Sequence, residues 1–187
     1  MYEKERVRVK RSKKMVLVSH CLLNVNSKVE GLATSTACVR NIVDYLLDSD
    51  FGIIQMECPE LTCMGIKRWG QSIDQYDNPF YEEHCDKIAI NIVNMVRNYT
   101  KNGYEIKYVI GIDGSPTCGV DLTCTGNCGG ENITFDNFRT QKGSGMLMKA
   151  IKNRAKNFGL DLTFVGLNEE CPEESIKNLR KVFCTNI

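Results

Sequence analysis

Apolar residues fall into short continuous runs that alternate with longer stretches of helical spacing. The first run is Met15-Val16-Leu17-Val18-Ser19. A second, Ile53-Ile54-Gln55-Met56, follows a polar loop and a segment in which Cys38, Ile42, Val43, Leu46 and Leu47 recur at the intervals of one helix face. Asp48-Ser49-Asp50 and Gly52 close that helix. A longer stripe, Cys85, Ile88, Ile92, Met95, Val96 and Tyr99, predicts a strong helix ending at Asn102-Gly103. Ile106 to Ile112 is almost wholly apolar, as in a strand covered on both faces. Met146 to Phe158 predicts a helix, Leu162 to Gly166 a strand, and Glu173 to Phe183 a last helix with Ile176, Leu179 and Phe183 inward. Two connections, Glu57 to Pro79 and Asp113 to Gly145, are long and show no period; long loops in compact domains usually carry function.

Four strands alternating with helices predict an α/β fold: a three-layer, Rossmann-like domain with a largely parallel sheet and helices on both faces. The 187 residues suit one such domain, residues 15–187, after a basic segment, residues 1–14. Lys4, Arg6, Arg8, Lys10, Arg11, Lys13 and Lys14 crowd that segment, which reads as a solvated tail. The whole chain carries a net charge of only +1, so no nucleic-acid partner is expected. No stretch approaches the roughly 18 apolar residues of a membrane span, and the first apolar run is too short for an export signal. A cytoplasmic protein is expected.

Ten cysteines change the picture. In a reducing compartment they point to metal, cluster or redox chemistry rather than to disulfides. Cys21, Cys58 and Cys118 each follow a predicted strand, and the carboxyl ends of parallel strands form one rim where ligands bind. Three thiolates converging there would hold a metal or cluster and leave a position free for substrate. Cys38 and Cys85 read as packing residues on helix faces, and Cys184 as a bland terminal one. Cys63, Cys124 and Cys128 are either extra loop thiols or, with Cys118, a closed zinc site. His20 at the rim could meet substrate, whereas His84 reads as structural. Glu57 and Glu60 flank Cys58, and two carboxylates beside a ligand suggest proton transfer. Ser115 either caps its turn or handles a proton. No phosphate-binding loop and no Cys-x-x-Cys motif is present.

Val18-Ser19-His20-Cys21-Leu22-Leu23-Asn24, Cys58-Pro59-Glu60 and Gly114-Ser115-Pro116-Thr117-Cys118-Gly119 together resemble the thiouracil desulfidase family, over about Met15 to Gly166. The resemblance implies an α/β enzyme with a [4Fe-4S] cluster held by three cysteines, Cys21, Cys58 and Cys118. It further implies that the fourth iron binds the sulfur of a small thiolated substrate, that water replaces this sulfur without net electron transfer, and that Glu60 and Ser115 move protons. The chain departs from the family's pattern at His20 and Asn24, at Val25-Asn26-Ser27 where a second cysteine is usual, in Leu61 to Gly70, and in the cysteines after Cys118. These positions bear on the substrate, for which Trp69 could stack on a ring and Arg68 bind an anion. The rival readings are a non-catalytic iron–sulfur or zinc protein and a reductive iron–sulfur enzyme.

Overall fold

The structure is a computed structural model describing residues 10–126 and 138–185, so the first nine residues of the basic segment and Cys128 lie outside the described residues. The chain begins with strand β1 (Lys14–Val18), a single helical turn α1 (His20–Leu23), helix α2 (Arg40–Asp48) and strand β2 (Gly52–Gln55). Short helices α3 (Pro59–Met64) and α4 (Ile73–Tyr76) lead to the long α5 (Pro79–Lys101) and strand β3 (Glu105–Ile112). A hairpin of β4 (Leu122–Thr125) and β5 (Arg139–Lys142) precedes α6 (Met146–Asn157), β6 (Thr163–Leu167) and α7 (Pro172–Thr185).

The main sheet runs β2-β1-β3-β6 and is parallel throughout. The chain steps from β1 outward to β2, then back past β1 to β3. The order therefore reverses between β1 and β3, and a crevice opens beyond their carboxyl ends.

Two apolar layers sandwich the sheet. Leu17, Ile106 and Val109 pack with Ile88, Ala89, Ile92 and Val93 of α5 and Leu147 and Ile151 of α6. Val16, Val18, Tyr108 and Ile110 face Ile42 and Leu46 of α2 and Leu179 of α7. The three-layer α/β arrangement expected from the sequence is thus observed. Met15 pairs with Ile106 but Val16 with Tyr108, so β3 carries one extra residue, Lys107. That bulge resets the alternation and lets Ile106 and Tyr108 face opposite layers.

The structure corrects the sequence reading in three places. The first predicted helix begins at Arg40, so Cys38 precedes it rather than packing on its face, and Leu47 is 54% exposed. The connection from Glu57 to Pro79 contains α3 and α4, whose six and four residues are too few to display a period. The connection from Asp113 to Gly145 contains the antiparallel hairpin, whose second strand is polar and exposed. No disulfide joins the described cysteines. Among the described residues, no helix is long and apolar enough to cross a membrane.

Candidate metal centre

Three neighbouring strands each deliver a cysteine to the crevice. Cys21 enters through α1, directly after β1. Ser19 ties this junction to β3, its amide and its hydroxyl both donating to the Ile110 carbonyl, at 3.0 and 3.2 Å. Cys58 follows β2 as the N-cap of α3, with Pro59 in the first helical position, where a missing N–H costs nothing. The amides of Leu61 and Glu60 point back at the Cys58 sulfur.

Cys118 is held by a tighter set of contacts. Gly114, at φ +87°, turns the chain out of β3 into a conformation that a side chain would strain. The Ser115 hydroxyl oxygen then accepts the amides of Thr117 at 3.2 Å and Cys118 at 2.9 Å. The Asp113 carboxylate accepts those of Val120, Asp121 and Leu122. The returning Cys118 carbonyl lies against Gly111 and accepts from the Ile112 amide at 3.0 Å.

Cys21, Cys58 and Cys118 line one cavity of about 500 Å³, together with Glu60 and Ser115. All five predicted site residues therefore line one cavity. Burial pushes the Cys21 thiol up to about 12, with Lys28 pulling it back and Glu169 and Cys58 adding to the rise. Burial also raises Cys58, against the pull of the α3 amides. Cys118 is raised well above the ordinary thiol range by burial and then by Cys21 and Cys58, while a hydrogen bond with Ser19 opposes the shift. Bringing three such thiols together favours their neutral forms unless a cation joins them.

Lys28 and Glu169 escaped the sequence reading, and the structure places two of its other candidates, Arg68 and Cys124. Arg68 was a candidate anion binder, but its guanidinium already holds three partners inside the protein. It donates to Glu60 at 3.4 Å, to the Ser27 carbonyl at 2.6 Å and to the Gly65 carbonyl at 3.3 Å, with only 3% of the side chain exposed. Lys28 and Glu169 form an ion pair inside the cavity, with side chains 10% and 14% exposed. Cys124, from β4, lines the cavity as well.

Other candidates lie elsewhere. His20 does not line the cavity; its backbone carbonyl accepts from the Gln55 side chain at 2.9 Å. Glu57 is exposed outside it, and Trp69 is 55% exposed and off the wall, so neither reaches a molecule inside. His84 bonds to the Thr62 hydroxyl at 2.9 Å, the structural role expected of it. Cys63 is exposed on α3, away from the cavity that Cys118 and Cys124 share, so these three do not close on one zinc ion. Among the described residues, no three His, Cys, Asp or Glu side chains converge on a single ion. Cluster ligands need no such convergence, because each thiolate takes a different iron.

No family model matches the chain. The uncharacterised protein MJ0003 of Methanocaldococcus jannaschii is 38% identical over 110 residues, which span 59% of this chain and 70% of that protein. The chain belongs to that archaeal protein's family. Among solved structures, the [4Fe-4S]-dependent thiouracil desulfidase TudS superposes with a TM-score of 0.51, covering 89% of this chain and 98% of the desulfidase. At 16% identity the likeness establishes a shared fold. This family member thus has the fold of the enzymes that its three cysteine motifs resemble.

Proposed function

We propose that the protein is a [4Fe-4S]-dependent desulfidase that hydrolyses a C–S bond in a small thiolated compound, such as a thiolated pyrimidine, in the cytoplasm. One observation carries this reading: thiols from the ends of three adjacent strands line a single cavity with a carboxylate and a hydroxyl. The donor set fits the cluster. Cys21, Cys58 and Cys118 would be its ligands, and the α3 amides supply hydrogen bonds to sulfur of the kind that tune such clusters. Three ligands suit a cluster with one open iron, and a [4Fe-4S] cluster is what TudS, of the same fold, depends on.

When bound, the cluster supplies a Lewis-acidic iron with affinity for soft sulfur. The chain's own groups would handle protons and position. Glu60 takes a proton from the attacking water, and Arg68 fixes the direction of its carboxylate. Ser115 accepts two amides through its oxygen, which leaves its hydrogen to donate to the substrate's ring nitrogen. In the balanced reaction, water oxygen replaces sulfur on the thiocarbonyl carbon and sulfur leaves as hydrosulfide. No electron is gained or lost, so turnover needs no reductant. That requirement separates this reading from a reductive iron–sulfur enzyme, and release of hydrosulfide separates it from a non-catalytic cluster or zinc protein.

The test is anaerobic reconstitution with iron and sulfide, read by visible absorption. The wild type should turn brown, and Cys21→Ala, Cys58→Ala and Cys118→Ala should each lose the band. A colourless wild type, or variants that keep full colour, would overturn the reading. A brown wild type is then assayed for hydrosulfide release from thiolated bases, with Glu60→Gln and Ser115→Ala expected to keep the band and lose turnover by about 100-fold or more.

A further inference from the structure

Two buried side-chain polar atoms among the described residues have no hydrogen-bond partner, the Tyr76 hydroxyl and Oε2 of Glu169. Tyr76 does not line the cavity, whereas Glu169 does. Buried polar groups are nearly always paired, so an orphan in a cavity wall points to a missing ligand.

Glu169 sits on the turn between β6 and α7, and that turn is fastened. The Asn168 amide donates to the Ser175 hydroxyl at 3.0 Å, and the same hydroxyl donates back to the Asn168 carbonyl at 2.8 Å. The Asn168 side chain accepts the Glu170 amide at 3.0 Å. On the side-chain end, Oε1 of Glu169 is paired to Lys28, whose ammonium also donates to the Leu32 carbonyl at 3.1 Å. One carboxylate oxygen is therefore clamped and the other is free. The pair is close enough to Cys21 to act on its thiol in opposite directions.

We infer that Glu169, steadied by Lys28, is the specificity-determining acceptor of this cavity and takes a hydrogen bond from a substrate N–H through its free oxygen. The inference rests on the desulfidase reading and deepens it. A carboxylate oxygen only accepts, so its complement is a donor. Ser115, from the β3 side, offers the opposite function, a hydroxyl hydrogen. A molecule held between them presents an N–H to Glu169 and an acceptor, its thiocarbonyl sulfur or a ring carbonyl, to Ser115, and a cyclic thioamide carries both. Both buried cations of the cavity are engaged within the protein, Arg68 by Glu60 and two backbone carbonyls and Lys28 by Glu169 and the Leu32 carbonyl, and Glu170 adds a second acidic group to the wall. The substrate class is therefore an uncharged thioamide with a free ring N–H.

Binding to the anaerobically reconstituted protein tests this directly. The probes are 2-thiouracil, its 6-methyl derivative, and its derivative methylated on both ring nitrogens. The 6-methyl compound adds bulk but keeps both N–H groups. Wild type should bind the first two alike and the N,N-dimethyl compound at least about tenfold more weakly, because a site built to receive a donor rejects the analogue lacking one. In Glu169→Ala that preference should fall to within about twofold while the cluster band is retained. The double variant Lys28→Met/Glu169→Met, which strands no charge, should behave the same way if the single variant folds poorly. Equal binding of the N,N-dimethyl compound by wild type, or an undiminished preference in both variants, would overturn the role of Glu169 and leave the desulfidase reading standing. A wild type that takes up no cluster would overturn both.

Discussion

The carbonyl of Cys118 occupies the space that a side chain on Gly111 would need, and it accepts the amide of the adjacent Ile112 at 3.0 Å. Strand β3 and the cysteine loop are thus in backbone contact, which only glycine permits at that position. Gly111→Ala is expected to push the loop off the strand. The cost should be about 1–3 kcal/mol in denaturant unfolding, the usual range for overpacking. Iron uptake on reconstitution should fall along with stability, even though every proposed ligand is intact. Normal iron content in a destabilised Gly111→Ala protein would show that Cys118 does not depend on this contact.

Arg68 and Glu60 bear on stability and activity differently. Arg68 holds Glu60 and two backbone carbonyls from a buried position. Replacing it with methionine strands a carboxylate and two acceptors, and breaking a buried pair in this way costs about 3 kcal/mol or more. Arg68→Met is therefore expected to unfold at markedly lower denaturant. Glu60→Gln keeps a hydrogen-bonding acceptor for Arg68 and should lose less stability while losing turnover. Equal stability losses in the two variants would show that the carboxylate's charge, and not the guanidinium's network, holds this corner together.

Those two relationships also mark what the sequence displays and what it hides. The strands and the long helices are legible because continuous runs such as Ile106 to Ile112 and stripes such as Ile88-Ile92-Val96 repeat over enough residues to show a period. The cysteines are legible because each follows a strand. The helices α3 and α4 are too short for periodicity, and the polar strand β5 carries no apolar alternation. The true start of α5 was available in Asn78-Pro79, where Oδ1 of Asn78 caps the amides of Phe80 and Tyr81 at 3.1 and 3.0 Å. Lys28 and Glu169 meet across 141 residues of sequence, and no local signal joins them. The only hint is that Glu169 follows the last strand, at the same rim as the cysteines.

Helices α5 and α6 are pinned by Asp86 and Arg154, whose Nε–Oδ1 distance is 2.6 Å. The hydrogen bonds from Arg154 lower the Asp86 carboxyl below its ordinary value of 3.8. A depressed carboxyl contributes stability that is complete above the ordinary value and is lost as pH falls through the lower folded one. Both side chains are about a third exposed, so solvent screening keeps the effect modest. Wild type should melt above Asp86→Asn at pH 6, with the gap closing as the pH is lowered below 3.8. A gap that persists unchanged in acid would mean that the substitution acts through packing and not through the charge.

The stacked pair Tyr76 and Tyr81, with ring centroids 4.4 Å apart, separates packing from hydrogen bonding in one experiment. Both rings are buried, and burial raises both phenols well above their ordinary range. Their hydroxyls differ. That of Tyr81 is bonded to Thr117 at 3.0 Å, next to Cys118, while that of Tyr76 has no partner among the described residues. Tyr81→Phe removes a made bond and orphans Thr117, which should cost about 1 kcal/mol or more. Tyr76→Phe removes an unpaired buried hydroxyl, so it should be neutral or stabilising by up to about 1 kcal/mol. Tyr81→Phe should also weaken iron uptake, because Thr117 is joined to the ligand loop, and Tyr76→Phe should not. If Tyr76→Phe instead costs as much as Tyr81→Phe, its hydroxyl has a partner in solution, and hydrogen exchange across α4 and β4 would locate it.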